Sequence, residues 1–125
     1  MSLLLDAGAL IAFERGNRLV QAFLERAHRR SEPVRTTSTV VAQIWRKPKT
    51  QVHLGRLLQG VEELGLDRVG ARRVGLLLGA AKLADVVDAS LIDAAYDGDE
   101  ILTSDPGDLL RLANAAGKRL RITPV

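Results

Sequence analysis

Three aspartates stand far apart in the 125-residue chain, each where an apolar run meets a helix-like or turn-like segment. Asp6 closes Leu3-Leu4-Leu5, Asp88 follows Val86-Val87 and opens Ala89-Ser90-Leu91-Ile92, and Asp105 closes Ile101-Leu102-Thr103-Ser104. If the runs ending in Asp6 and Asp105 are parallel strands with helices between them, their carboxyl ends lie along one edge of a sheet, where open α/β folds place their sites. Carboxylates gathered there repel one another unless protons or a cation relieve them. A hard cation such as Mg2+ accepts oxygen ligands and keeps waters for chemistry. The chemistry this points to is metal-dependent hydrolysis of a phosphodiester.

The elements that must position these residues alternate along the chain. Ser2 to Asp6 reads as a buried strand and Ala9 to Glu14 as a short helix. Leu19 to Arg30 carries Leu19, Val20, Phe23, Leu24 and Ala27 at the spacing that builds one apolar helix face. Val34 to Thr37 is a second strand, and Thr39 to Arg46 returns to helical spacing until Lys47-Pro48 stops it. Val52 to Val61 reads as a helix, Gly65 to Val69 as a weak strand or turn, Arg72 to Leu83 as a glycine-interrupted helix, and Val86 to Tyr96 as a helix ending at Asp97-Gly98. Glu100 to Ser104 is a clear strand between turn signals, Gly107 to Ala116 is helical, and Leu120 to Val125 is a final edge strand. Such alternation predicts right-handed crossovers and a single three-layer α/β/α domain over residues 1–125, with a mainly parallel central sheet.

Composition narrows the chemistry. With 46% apolar residues, the chain can fill one core and not comfortably two. No apolar stretch reaches the roughly 20 residues that span a bilayer, and Met1-Ser2 leads straight into a strand pattern, so the expectation is a cytoplasmic protein without a membrane segment. The absence of cysteine removes disulfides, thiolate metal sites and cysteine nucleophiles, and His28 and His53 are too few for a histidine-rich zinc centre. A metal here would be held mainly by oxygen. The net charge of +3 includes the acidic candidates, so the remaining surface is more basic than the total, which suits a polyanionic substrate. With only Phe13, Phe23, Trp45 and Tyr96, no base-stacking platform is expected, so contact with RNA would rest on backbone charge and shape.

Helix capping accounts for each aspartate taken singly. Asp6 can cap a helix starting near Ala9, Asp85-x-x-Asp88 matches a cap followed by an acidic residue, and Asp105-Pro106-Gly107-Asp108 matches a cap followed by a first-turn proline. Capping does not require that two of them terminate strands while the third opens the helix feeding the second strand. The joint pattern is what carries the functional reading.

These blocks resemble the PIN-domain ribonucleases, and within them the VapC-type toxins of bacterial toxin–antitoxin pairs. The resemblance runs from Leu3-Leu4-Leu5-Asp6-Ala7-Gly8-Ala9-Leu10-Ile11-Ala12, through Val87-Asp88-Ala89-Ser90-Leu91-Ile92-Asp93-Ala94-Ala95, to Ile101-Leu102-Thr103-Ser104-Asp105-Pro106-Gly107-Asp108-Leu109. It implies that Asp6, Asp88 and Asp105 surround one or two Mg2+ or Mn2+ ions and that Asp108 matches a further acidic position. It also implies an endoribonuclease acting through a metal-activated water, a small antitoxin partner and a homodimer.

Two features depart from the family pattern. Gln43 stands in Thr39-Val40-Val41-Ala42-Gln43-Ile44-Trp45-Arg46 where the family usually has a glutamate, and an amide supplies neither negative charge nor a carboxylate base. Gln43 is the feature that favours the alternative, a PIN-like RNA- or protein-binding module with weakened or lost nuclease activity. The first block reads Asp6-Ala7-Gly8 where many relatives place a hydroxyl residue, a role that Thr103 or Ser104 would have to fill. A response-regulator receiver shares the length and layer pattern, but it predicts an acidic pair near Asp6 and a lysine where Asp105 stands.

Overall fold

The computed structural model describes residues 1–125. Five strands, β1 (Leu3–Leu5), β2 (Val34–Thr37), β3 (Glu62–Leu64), β4 (Glu100–Thr103) and β5 (Arg121–Pro124), form one sheet in the order β3-β2-β1-β4-β5. Every neighbouring pair is parallel. The helices are α1 (Ala7–Glu14), α2 (Arg18–Arg29), α3 (Ser38–Ile44), α4 (Val52–Gln59), α5 (Arg68–Ala81), α6 (Val86–Ala94) and α7 (Pro106–Ala116).

Parallel strands need crossovers, and the right-handed rule assigns each helix to a face. The chain steps from β1 to β2 to β3 in one direction, which places α1 to α4 on one face. It then returns past β1 to β4 and on to β5, which places α5, α6 and α7 on the other. The packing agrees: α5, α6 and α7 contact one another, and α1 contacts α2, α3 and α4. The result is the expected α/β/α sandwich with an all-parallel sheet. No helix is long and apolar enough to cross a membrane.

Covered on both faces, the central strands must be apolar throughout. Leu3, Leu4 and Leu5 of β1 and Ile101 and Leu102 of β4 are fully buried, and Leu10, Leu91, Ile92, Leu109 and Leu112 pack onto them from the helices. The edge strand β3 differs from the expected strand or turn at Gly65–Val69, lying three residues earlier and pairing Glu62 with Arg35 and Leu64 with Thr37. Its Glu62-Glu63-Leu64 sequence lacks the apolar run that marks a covered strand, and charge on an exposed edge also discourages pairing with another chain. Helix α5 starts at Arg68 instead of Arg72, because Asp67 caps it by accepting the Gly70 amide at 2.7 Å.

Candidate active site

The chain leaves β1 in one direction and β4 in the other, so the crevice at the switch of strand order opens beyond their carboxyl ends. Leu5 pairs with Leu102, and the Asp6 amide donates to the Leu102 carbonyl at 3.2 Å, which carries the ladder one residue beyond β1. Asp6 and Asp105 therefore leave adjacent strands at the same edge. Helix α6 descends to the amino end of β4, so its first turn, with Asp88 as third residue, sits at the carboxyl edge as well. Helix α7 rises from that edge and carries Asp108 in its own first turn. Topology alone thus brings Asp6, Asp88, Asp105 and Asp108 to one end of the sheet.

Capping separates these aspartates into two kinds. Asp6 does cap α1, its Oδ1 accepting the Ala9 amide at 2.7 Å, and Asp85 caps α6 by accepting the Asp88 amide at 3.0 Å. A carboxylate has about four lone-pair sites, so one capping bond leaves Asp6 acceptor capacity for a cation. Asp105 occupies the cap position of α7 but makes no side-chain cap bond; instead its own amide donates to Thr103 Oγ1 at 2.9 Å. The Asp105 carboxylate is exposed and unspent.

The electrostatics follow from this crowding. Burial raises the Asp6 carboxyl above its ordinary 3.8; the Thr103 hydroxyl and the amides of Ala9 and Gly8 pull it back, and the Asp105 charge adds to the rise. Asp88 is pushed up to about 6, first by desolvation, then by the charges of Asp85, Asp6, Asp108 and Asp105. Four other aspartates thus bear on one half-buried carboxyl.

The opposite end of the sheet treats acids differently. Three carboxylates in the chain are buried: Asp6, Asp99 and Glu100. Glu100 receives Arg26 at 2.6 Å and the Thr123 hydroxyl at 2.6 Å, and Asp99 faces Arg35 at 3.6 Å while accepting the Ser2 and Tyr96 amides. Asp6 has no cationic partner, and neither do Asp85, Asp88, Asp105 or Asp108. Buried charges are ordinarily paired or bound to metal. All the unpaired donors here are hard carboxylate oxygens, which match Mg2+ or Mn2+ in chemistry. The carboxylates share an edge without converging: no group of three or more acidic or histidine side chains is placed to hold a metal ion.

Gln43 lies on the exposed side of α3 and takes part in no hydrogen bond to these aspartates. Asp93, five residues beyond Asp88, faces elsewhere and is held at 3.0 Å through both oxygens by Arg73. Asp85 is the neighbour that sequence reasoning undervalued: it supplies the largest charge effect on Asp88, and the Asp85-x-x-Asp88 spacing was its signal. The histidines are structural or remote, His53 stacking on Phe13 with ring centroids 4.4 Å apart. Gly8 has a steric reason. A Cβ there would lie 1.9 Å from Ser104 Oγ, 2.7 Å from Ser104 Cβ and 3.2 Å from the Ser104 backbone nitrogen. Ser104 thus fills the space beside Asp6 that a side chain at position 8 would need.

No family model matches the chain, and no curated protein matches it in sequence. Among solved structures it is similar to a chain of VapBC2 from Rickettsia felis, crystallised bound to a DNA fragment from their promoter. The two superpose with a TM-score of 0.74 over 98% of each chain, at 15% sequence identity. The chain has a PIN-domain fold. At that identity the likeness concerns the fold; the chemistry of the edge rests on the residues described above.

Proposed function

We propose that this chain is a Mg2+- or Mn2+-dependent endoribonuclease and the toxin of a toxin–antitoxin pair. The observation that carries the reading is the charge contrast between the two ends of the sheet. Buried Asp99 and Glu100 each face an arginine, whereas buried Asp6 and the four aspartates around it face no cation of the chain. Asp6, Asp88 and Asp105 would hold the ion, and Asp108 would add acidic potential from the first turn of α7. When bound, such an ion lowers the pKa of a coordinated water and offsets charge on the departing oxygen of a phosphodiester.

The chain's own contribution is orientation. The extended ladder and the Ala9 amide fix Asp6, and the Thr103 hydroxyl receives the Asp105 amide while lying beside Asp6, so it ties the Asp6 carboxylate to the Asp105 backbone. Absence of a histidine or serine triad is consistent with this chemistry. The similarity to one component of a complex on promoter DNA supports an antitoxin partner for this chain, and Val69 and Leu76 of α5, both well exposed, offer apolar surface for it or for a homodimer.

Gln43 favours a second reading, a PIN-fold module that grips RNA or a protein without cutting it. The two separate in one experiment: a mixed RNA pool incubated with Mg2+ or Mn2+, with chelator, and with Asp6→Asn and Asp88→Asn variants whose folding is checked by circular dichroism. Cleavage that disappears with chelator and in both folded variants supports the nuclease. RNA binding without cleavage under either metal overturns it and leaves the binding module.

A further inference from the structure

A hollow of about 180 Å3 opens between α5, α6 and the strands β2 and β3. It begins beside the acidic edge. Leu4 pairs with Arg35 in parallel register, so Asp6 stands level with Thr37, one strand spacing of about 4.8 Å away and on the same face of the sheet. Thr37 lines the hollow, as does Ser90, two residues beyond Asp88 on α6. From there it runs to Arg35, Arg73, Asp93 and Tyr96, with half-buried Leu64 and Leu66 as an apolar wall. Pockets that take a whole small molecule begin at about 300 Å3, so this one fits a single flat group of a longer ligand.

The polar groups of the hollow are held in place by the fold. Arg73 Nε and Nη2 meet the two Asp93 oxygens at 3.0 Å each, and the Asp93 carbonyl accepts Lys118 Nζ at 2.9 Å. Gly70 leaves room for the guanidinium, since a Cβ there would lie 3.3 Å from Arg73 Nη2. Arg35, its side chain 7% exposed, donates Nη1 to the Ala94 carbonyl at 3.0 Å, faces Asp99 and Glu62, and lies over the Tyr96 ring at 5.1 Å. Both arginines therefore face carboxylates, and the hollow has no spare positive charge to draw a phosphate. What it keeps is directional capacity. Arg73 Nη1 and Arg35 Nη2 make no hydrogen bond, the Asp93 carboxylate has lone pairs left, and Tyr96 is 69% exposed.

Free donors, an acceptor and an aromatic ring beside an apolar wall match an unstacked nucleobase, which is held by stacking and by its Watson–Crick and Hoogsteen edges. Guanine fits the set, for its O6 and N7 accept from arginine and the N–H groups of its next edge donate to a carboxylate. A single base needs no run of aromatic residues. We propose that this hollow receives one guanine of a single-stranded RNA next to the phosphate at the acidic edge, and that Arg73, Asp93 and Tyr96 decide its identity. Naming RNA rests on the nuclease reading; the shape and the donor–acceptor set of the hollow do not.

The test needs neither metal nor cleavage. NMR shifts of backbone amides and arginine Nε–H groups of the full chain are followed in chelator during titration with guanosine, adenosine, cytidine or uridine. Acetyl-arginine amide serves as a mimic of a partner protein's side chain. Guanosine should shift Gly65, Arg73, Asp93 and Tyr96 and bind about tenfold tighter than the other nucleosides. The Arg73→Gln/Asp93→Asn variant should lose that preference to within about twofold, and Tyr96→Ala, at an exposed position, should weaken guanosine about fivefold or more. No shift at the hollow, equal shifts from all the nucleosides, or a preference that survives both variants overturns the proposal. Binding of acetyl-arginine amide there without guanosine also overturns it, in favour of a protein partner. The same chain is then given Mn2+ and RNAs that differ at one base. Guanosine in the hollow with no RNA cut upholds the hollow and refutes the nuclease reading, whereas RNA cut with no guanosine in the hollow refutes the hollow and leaves the nuclease.

Discussion

Asp88→Asn should make the metal-free protein more stable near neutral pH, and the gain should vanish in acid. The Asp88 carboxyl sits at about 6 in the folded chain against an ordinary 3.8. Between those values the native state holds the proton and the unfolded chain has released it, so stability falls as pH rises through that window. Above about 6 the folded state carries the whole penalty of an ionised Asp88 that is partly desolvated and lies among Asp85, Asp6, Asp108 and Asp105. Two pH units correspond to about 3 kcal/mol at most. The side chain is only half-buried, solvent screens its neighbours, and its place in the first turn of α6 lets the helix dipole favour the charge, so the expected gain is about 1 kcal/mol. That is about 4 °C in Tm for a domain of this size. Urea unfolding of both proteins in chelator, from pH about 4 to about 8, reads the difference directly. Midpoints that differ equally at all pH values, or a variant no more stable than wild type at neutral pH, would refute the argument that burial and the neighbouring aspartates together disfavour the Asp88 charge.

Three further outcomes follow from the same contacts. Arg26→Leu should cost about 3 kcal/mol by leaving buried Glu100 with only the Thr123 hydroxyl, while Asp105→Asn, at an exposed and unpaired position, should change stability by less than about 0.5 kcal/mol; paired denaturation curves compare them. Gly8→Ala should cost about 2 kcal/mol and most of any metal-dependent RNA cleavage, because the new Cβ meets the Ser104 backbone as well as its hydroxyl and must push the Asp6 and Asp105 segments apart; unchanged cleavage would show that their separation is not critical. Mn2+ at a hundredfold its dissociation constant should raise wild-type stability by about 2.7 kcal/mol and Asp6→Asn far less, as read by calorimetry without any activity measurement.

The local pattern was enough for most of the architecture. Leu3-Leu4-Leu5 and Ile101-Leu102-Thr103 are short apolar runs that only a covered parallel strand accommodates, and the alternating helices between them leave few topologies other than the one found. The same pattern placed Asp6, Asp88, Asp105 and Asp108 at one edge, because a residue that ends a parallel strand or opens the helix beside it has little choice of end. The edge strand was less legible: Glu62-Glu63-Leu64 is held by its ladder with β2 and by Arg35 reaching Glu62 at 3.4 Å, and neither is a local signal.

Partner choice was not in the sequence at all. Asp6, Asp85 and Asp105 all stand at helix starts, yet Asp6 and Asp85 cap while Asp105 does not, its backbone amide donating to the Thr103 hydroxyl. Nor does composition say that Arg26 and Arg35 neutralise the buried acids at the amino end of the sheet while the acids at the carboxyl end have no cationic partner. Residue type and spacing act over a few positions and fix which groups share an edge. Whether a charge there is paired depends on side chains brought together across 74 positions in the case of Arg26 and Glu100, and only the folded chain makes that pairing.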